Sequence, residues 1–136
     1  MTFVTQFDAC QDLVYIEGTI ASATKQLEVR LVLDTGASRT LIVPDVIEKL
    51  GYSARDAETR TSITSAVGRE HGYLLRVARF ATLGFDGQLP GQRVRPRRAR
   101  VDPGLVGMNF LRRFNYQVRS SEGRILVSNI APLAAR

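Results

Sequence analysis

The chain has 136 residues, of which 44% are hydrophobic and 24% charged, and a formal net charge of +6. It is long enough to bury a sizeable core, too apolar to be globally disordered and too short for two comfortable lobes, so a single domain over residues 1–136 is expected. No run reaches the roughly 18 apolar residues of a membrane helix and no basic-then-apolar leader opens the chain, so a soluble protein of the cytoplasm is expected. Arginine supplies nearly all the positive charge, since lysine occurs only at Lys25 and Lys49; that balance bears on acidic partners and solubility rather than on fold.

In chain order, Phe3 to Phe7 alternates weakly and reads as an edge strand or a tail that joins a second copy. Leu13 to Ile20 is clearer, with Val14, Ile16 and Ile20 in one phase and Glu17 and Thr19 in the other. A turn near Ala21 to Thr24 leads into Gln26 to Leu33, where Leu27, Val29, Leu31 and Leu33 share one face and Glu28 and Arg30 lie opposite. The two segments predict a hairpin with one buried face. Gly36 predicts a sharp turn, because glycine tolerates backbone angles that other residues resist. Arg39 to Val43 follows as a short strand. Pro44 opens a helix with Asp45 in its first turn, Val46, Ile47 and Leu50 as its inward stripe, Lys49 in its last turn and Gly51 just beyond.

Thr59 to Val67 is small, hydroxylated or β-branched, and Gly68 interrupts the pattern before Tyr73 to Val77. Two strands joined near Ala66 to Arg69 predict a projecting hairpin whose tip has little apolar surface to hold it down. Asp86-Gly87 predicts the next turn. Arg93 to Arg100 alternates Arg with Val, Pro and Ala and predicts an exposed edge strand, since Pro96 is unsuited to a central one. Leu105-Val106-Gly107 is a short apolar piece. Met108 to Phe114 predicts a helix of one or two turns with Phe110, Leu111 and Phe114 inward. Tyr116 to Val118 and Ile125 to Val127 close the chain as a hairpin through Ser120 to Gly123, followed by a frayed tail after Ile130. The class expected is all-β with one or two short helices.

The lone cysteine, Cys10, excludes an internal disulfide and reads as a small buried or half-buried residue. With one histidine, His71, the chain lacks the roughly four ligands of a tight zinc site, and no metal or cofactor is expected. Ser38 and His71 make no nucleophile pair, because nothing arranges the third group that would orient the base.

The informative stretch is Leu31-Val32-Leu33-Asp34-Thr35-Gly36-Ala37-Ser38, an apolar strand that runs without a polar break into a carboxylate. Such a group is costly at the end of a buried strand unless it is hydrogen-bonded or shares a proton. The bland alternative is a turn carboxylate at a strand end.

This stretch, with Thr40-Leu41-Ile42-Val43-Pro44, resembles the active-site loop of retropepsin-like (retroviral-type) aspartic proteases in their single-domain form. Leu105-Val106-Gly107-Met108-Asn109-Phe110-Leu111 resembles the family's second apolar-apolar-glycine element with its following helix, and Thr59 to Val77 sits where the family places its flap. The resemblance covers roughly residues 12 to 128 and implies an all-β acid-protease fold, a closed barrel-like sheet with a flap hairpin. It also implies an aspartic endopeptidase. Peptide hydrolysis by this route needs one carboxylate to take a proton from water and another to protonate the scissile carbonyl. Two carboxylates about 3 Å apart share one proton, and aspartic proteases are the usual illustration. The chain has one Asp-Thr-Gly, and Asp102-Pro103-Gly104 reads as a turn, so the partner of Asp34 is expected from a second copy in a homodimer. The resemblance further implies that Thr35 bonds across that dimer, that the Gly36 backbone approaches the catalytic oxygens, that Ala37 leaves room for substrate and that Ser38 bonds near the carboxylate. Ala66, Val67 and Gly68 would close over an extended peptide or protein substrate. The alternative is a catalytically silent dimerisation or peptide-binding module, with the arginine run touching nucleic acid instead of lying as a solvated edge.

Overall fold

The computed structural model describes residues 2–65, 68–94 and 104–129. Its strands and helices are β1 (Thr2–Gln6), β2 (Tyr15–Ala21), β3 (Gln26–Leu33), β4 (Leu41–Ile42), α1 (Pro44–Lys49), β5 (Thr59–Ser65), β6 (Gly68–Thr82), β7 (Phe85–Val94), β8 (Gly104–Val106), α2 (Met108–Leu111), β9 (Phe114–Arg119) and β10 (Arg124–Asn129). The architecture is mostly β, as expected. A seven-stranded sheet runs in the order β2-β3-β8-β4-β7-β6-β5, and an added β2–β6 pairing curls it back on itself. A three-stranded sheet, β1-β10-β9, lies beside it, with β1 at an edge as its weak alternation suggests.

The β2–β3 hairpin forms because its alternation gives one face to the core: Ile16, Ile20, Val29 and Leu31 are buried, while Glu17, Glu28 and Arg30 are exposed. On the outer face the Arg30 guanidinium lies over the Tyr15 ring, 3.6 Å from its centroid. α1 begins at Pro44 and buries Val46 and Ile47, with Lys49 in its last turn. One apolar cluster unites the sheets: Phe80 of β6, Phe110 of α2 and Ile125 and Val127 of β10 all belong to it. Phe110 sits edge-on to Phe80 and Phe85, each at 5.3 Å between centroids, and tilted against Phe114 at 5.1 Å. Such ring pairs add about 0.5–1.5 kcal/mol each beyond their burial.

Several expected boundaries shift. The Arg39 to Val43 strand narrows to Leu41–Ile42. The helix from Met108 ends at Leu111, and Phe114 opens β9 with its ring in the core. Cys10 is exposed rather than buried, and its N–H donates to Asp8 Oδ1 at 2.9 Å in a polar surface turn. Arg93 and Val94 are not an edge: β7 runs there between β6 and β4, pairing Arg93 with both Leu74 and Leu41. A sequence pattern cannot show this, because β4 arrives from fifty residues away and pairs in parallel. Residues 95–100 and the tail from residue 130 lie outside the described residues.

The turn expected at Asp86-Gly87 is instead at Leu83-Gly84. Asp86 and Gly87 are strand residues opposite Ala81 and Phe80. Leu83 and Gly84 both have positive φ, 54° and 85°, as a two-residue type I′ turn requires. Leucine pays about 1 kcal/mol for that conformation, but Leu83 is 4% exposed and Phe85 packs on Phe110 and Phe114, so apolar burial overrides the local turn preference. A Cβ on Gly84 would enter the Phe3 ring, which covers this turn and ties β1 to the larger sheet. Gly84→Ala is therefore expected to destabilise by about 1–2 kcal/mol, from positive φ and displacement of Phe3. Thermal unfolding measures it, and an unchanged midpoint contradicts the packing.

β6 is long enough to serve three neighbours, pairing with β5 from Gly68 to Leu74, with β7 from Tyr73 to Thr82 and with β2 from Arg79 to Thr82. Its register slips on either side of Val77, and the Tyr52 hydroxyl accepts the Ala78 N–H at 3.0 Å where the ladder is irregular.

Candidate active site

The position of the site follows from one topological fact: β8 is inserted between β3 and β4. β3 pairs in parallel with β8, Leu31 to Gly104 and Leu33 to Val106, while β4 pairs antiparallel with its other side, Leu41 to Leu105. The connection from residue 34 to residue 40 must therefore cross the end of β8. Gly107 lies beneath the crossing, where a Cβ would stand 2.5 Å from both the C and O atoms of Arg39 and 2.9 Å from Ala37 O.

Asp34 begins this crossing, half-buried at the end of β3. Its N–H donates to Val106 O at 3.0 Å. Its Oδ1 accepts the Gly36 N–H at 2.8 Å, and its carbonyl accepts the Ala37 N–H at 3.4 Å, which together close a tight Asx turn. Oδ2 makes no hydrogen bond among the described residues. Gly36 is not at positive φ; the glycine is needed for space, since a Cβ would lie 3.2 Å from Asp34 Oδ1. Thr35 and Ser38 are exposed and Ala37 is half-buried, and neither the Thr35 nor the Ser38 hydroxyl makes a hydrogen bond among the described residues.

The far end of the crossing is tied to α2. Amide groups that start a helix lack partners within it, and here Met108 N–H donates to Ala37 O at 2.7 Å and Asn109 N–H to Ser38 O at 3.1 Å. Thr40, fully buried, donates both its N–H (2.7 Å) and its hydroxyl (2.9 Å) to Asn109 Oδ1, and its Oγ1 accepts the Gly107 N–H at 3.2 Å. Thr40 and Asn109 lie inside the two motifs noted in the sequence, yet their meeting there was not legible; a hydroxyl and an amide at matching places in the two motifs is the one available signal.

Of the residues expected at the flap, Ala66 and Val67 lie outside the described residues. Gly68 pairs with Ser65 in the β5–β6 hairpin, and His71 pairs with Ser62. Nearer the base, burial pushes the Tyr73 phenol up from its ordinary value, and the charges of Glu48 and Asp56 push it further, so it stays protonated at mildly acidic pH. A shallow cleft lined by Gln6, Asp8, Tyr15, Glu17 and Arg30 does not include Asp34. Among the described residues no three His, Cys, Asp or Glu side chains are placed to hold a metal, and no helix is long and apolar enough to cross a membrane.

A mainly β chain whose curled sheet presents an Asp-Thr-Gly turn at the end of an inner strand has the form of a retropepsin-like fold. The chain belongs to the aspartyl protease family, whose model matches residues 15–110. Among solved structures it is similar to a retropepsin-like aspartic protease from Rickettsia conorii, with a TM-score of 0.66 and 15% identity over 93% of this chain and 89% of that one. It is also similar to the retroviral protease-like domain of Ddi1 from Leishmania major, with a TM-score of 0.59 and 18% identity over 87% of this chain and 90% of that one. At such identities the likeness shows the fold. No curated protein sequence matches the chain significantly.

Proposed function

We propose that the chain, as a single retropepsin-like domain, is an aspartic endopeptidase whose active site is completed by a second copy of itself. The observation that carries this reading is the Asp34 turn: a half-buried carboxylate with one oxygen held by Gly36 N–H and the other unbonded among the described residues, at the end of a strand in an aspartyl protease family member. One such carboxylate supplies half of the chemistry. With a second Asp34 related by a two-fold axis, the pair shares one proton; the ionised member takes a proton from water as it attacks the peptide carbon, and the protonated member gives its proton to the carbonyl oxygen. The exposed Thr35 hydroxyl is available to bond across the two-fold. Ala37 leaves room for an extended peptide, the Ser38 hydroxyl is available to bond near the carboxylate, and the β5–β6 hairpin closes over the substrate as a flap.

The test is cleavage of an unfolded polypeptide at mildly acidic pH across a range of chain concentrations, beside sedimentation of the same samples. Specific activity is expected to rise with concentration in step with the dimer fraction, and a statine-type transition-state analogue to suppress it. Absence of cleavage by the dimer refutes the enzymatic reading, and full activity from a strict monomer refutes the shared site.

A further inference from the structure

We propose that Thr40 and Asn109 are a positioning pair for the reaction, setting where the Asp34 carboxylate stands although neither is the reacting group; this rests on the aspartic endopeptidase reading above. Both ends of the crossing loop register on one short stretch. Its start is fixed by Asp34 N–H on Val106 O, and its end by Thr40 on Asn109 and Gly107. The loop carbonyls between, Ala37 O and Ser38 O, are held by the first amides of α2. The corner from residue 106 to residue 109 is thus a template against which the turn carrying Asp34 is laid.

At this corner the end of the loop is held by side chains as well as by main chain. The Thr40 hydroxyl is a relay that accepts a hydrogen bond from Gly107 N–H and donates one to Asn109 Oδ1. Because a backbone N–H only donates, Thr40 N–H facing the same atom identifies it as the amide oxygen. The amide nitrogen, Asn109 Nδ2, is then buried with no partner among the described residues. A buried polar group that leaves a donor unmet opposes stability, so space filling alone does not account for an amide here. Holding the loop end from two directions does: Oδ1 takes both Thr40 donors, and a shift of either residue breaks both bonds. A displacement of about 1 Å at a reacting group costs on the order of a hundredfold in rate, and five loop residues, 35–39, separate Thr40 from Asp34.

Thr40→Val keeps the shape of the side chain and removes the relay; Thr40→Ser keeps the relay and removes a methyl. Under dimeric conditions Thr40→Val and Asn109→Ala are expected to lower kcat by about 10- to 100-fold with KM within about threefold of wild type. Thr40→Ser is expected to restore kcat to within about threefold, and the double variant Thr40→Val, Asn109→Ala to fall no further than the worse single variant. Wild-type kcat in Thr40→Val, equal losses in Val and Ser variants, a change confined to KM or to dimer affinity, or additive losses would each overturn the pair. If Thr40→Val does not fold, Asn109→Ala is read by the same criteria. Backbone amide exchange at Met108 and Asn109 needs no proteolysis and is expected to accelerate in either variant. If the wild type proves inactive the endopeptidase reading fails, while unaltered exchange at those amides overturns the pair on its own account.

Discussion

Asp34→Asn is expected to remove peptide cleavage, lowering kcat by at least about a thousandfold, while leaving fold and self-association intact. The amide retains an Oδ1 that accepts the Gly36 N–H, the contact that shapes the turn, and asparagine suits such a turn as well as aspartate. No other hydrogen bond of the side chain is lost, since Oδ2 has none among the described residues. What disappears is chemical: a carboxamide neither takes a proton from water nor delivers one to a peptide carbonyl. In a two-copy site the substitution replaces a pair that carries one shared proton and one negative charge with two neutral amides, so the variant dimer is expected to be about as tight as the wild type. Cleavage kinetics, thermal unfolding and sedimentation on one preparation check all three parts; retained cleavage sinks the assignment of Asp34.

The same variant reads the stoichiometry. Mixed in equal amounts with wild type and allowed to exchange, only about a quarter of dimers carry two aspartates, so activity per wild-type chain is expected to fall to about half. A chain that works alone keeps its full activity in the mixture. This separates a shared site from a self-sufficient one without knowledge of the interface.

Residues that act through local rules were legible in the sequence. The alternation of Leu27 to Leu33 with Glu28 and Arg30 named the buried face of β3, and Pro44, Lys49 and Gly51 bracketed α1. The Asp34 turn stood out because an apolar strand ending in a carboxylate is physically odd. What stayed hidden depends on elements far apart in the chain. The Thr40–Asn109 bonds span 69 residues and exist only because β8 inserts between β3 and β4. The turn at Leu83-Gly84 was chosen by the rings of Phe3, Phe85, Phe110 and Phe114 rather than by local preference, and the interior place of Arg93 by a parallel partner, β4. Gly36 was expected to serve the backbone angles of its turn, whereas the structure uses it for closeness to Asp34 Oδ1.

Closeness is also the reason for the second large effect, at Gly107. Gly107 has φ of −104°, a conformation open to any residue, so a substitution there is penalised by space alone. The space is taken by main chain: a Cβ would stand 2.5 Å from Arg39 C and O and 2.9 Å from Ala37 O. Neither neighbour can swing aside as a flexible side chain would, because Ala37 O is held by Met108 N–H and the loop end by Thr40 on Asn109. Gly107→Ala must push the crossing loop away from β8 or break the Gly107 N–H to Thr40 Oγ1 bond that passes between them. Overpacking of this kind, with a buried bond lost, is expected to destabilise by about 3 kcal/mol or more, which lowers the thermal midpoint by about 10 °C in a chain of this size. The loop carries Asp34, so cleavage is expected to fall further than stability: at temperatures where Gly107→Ala is still folded, kcat drops by about a hundredfold with the displaced carboxylate. A variant that unfolds earlier yet keeps wild-type kcat while folded would show that the corner supports the sheet without setting the site.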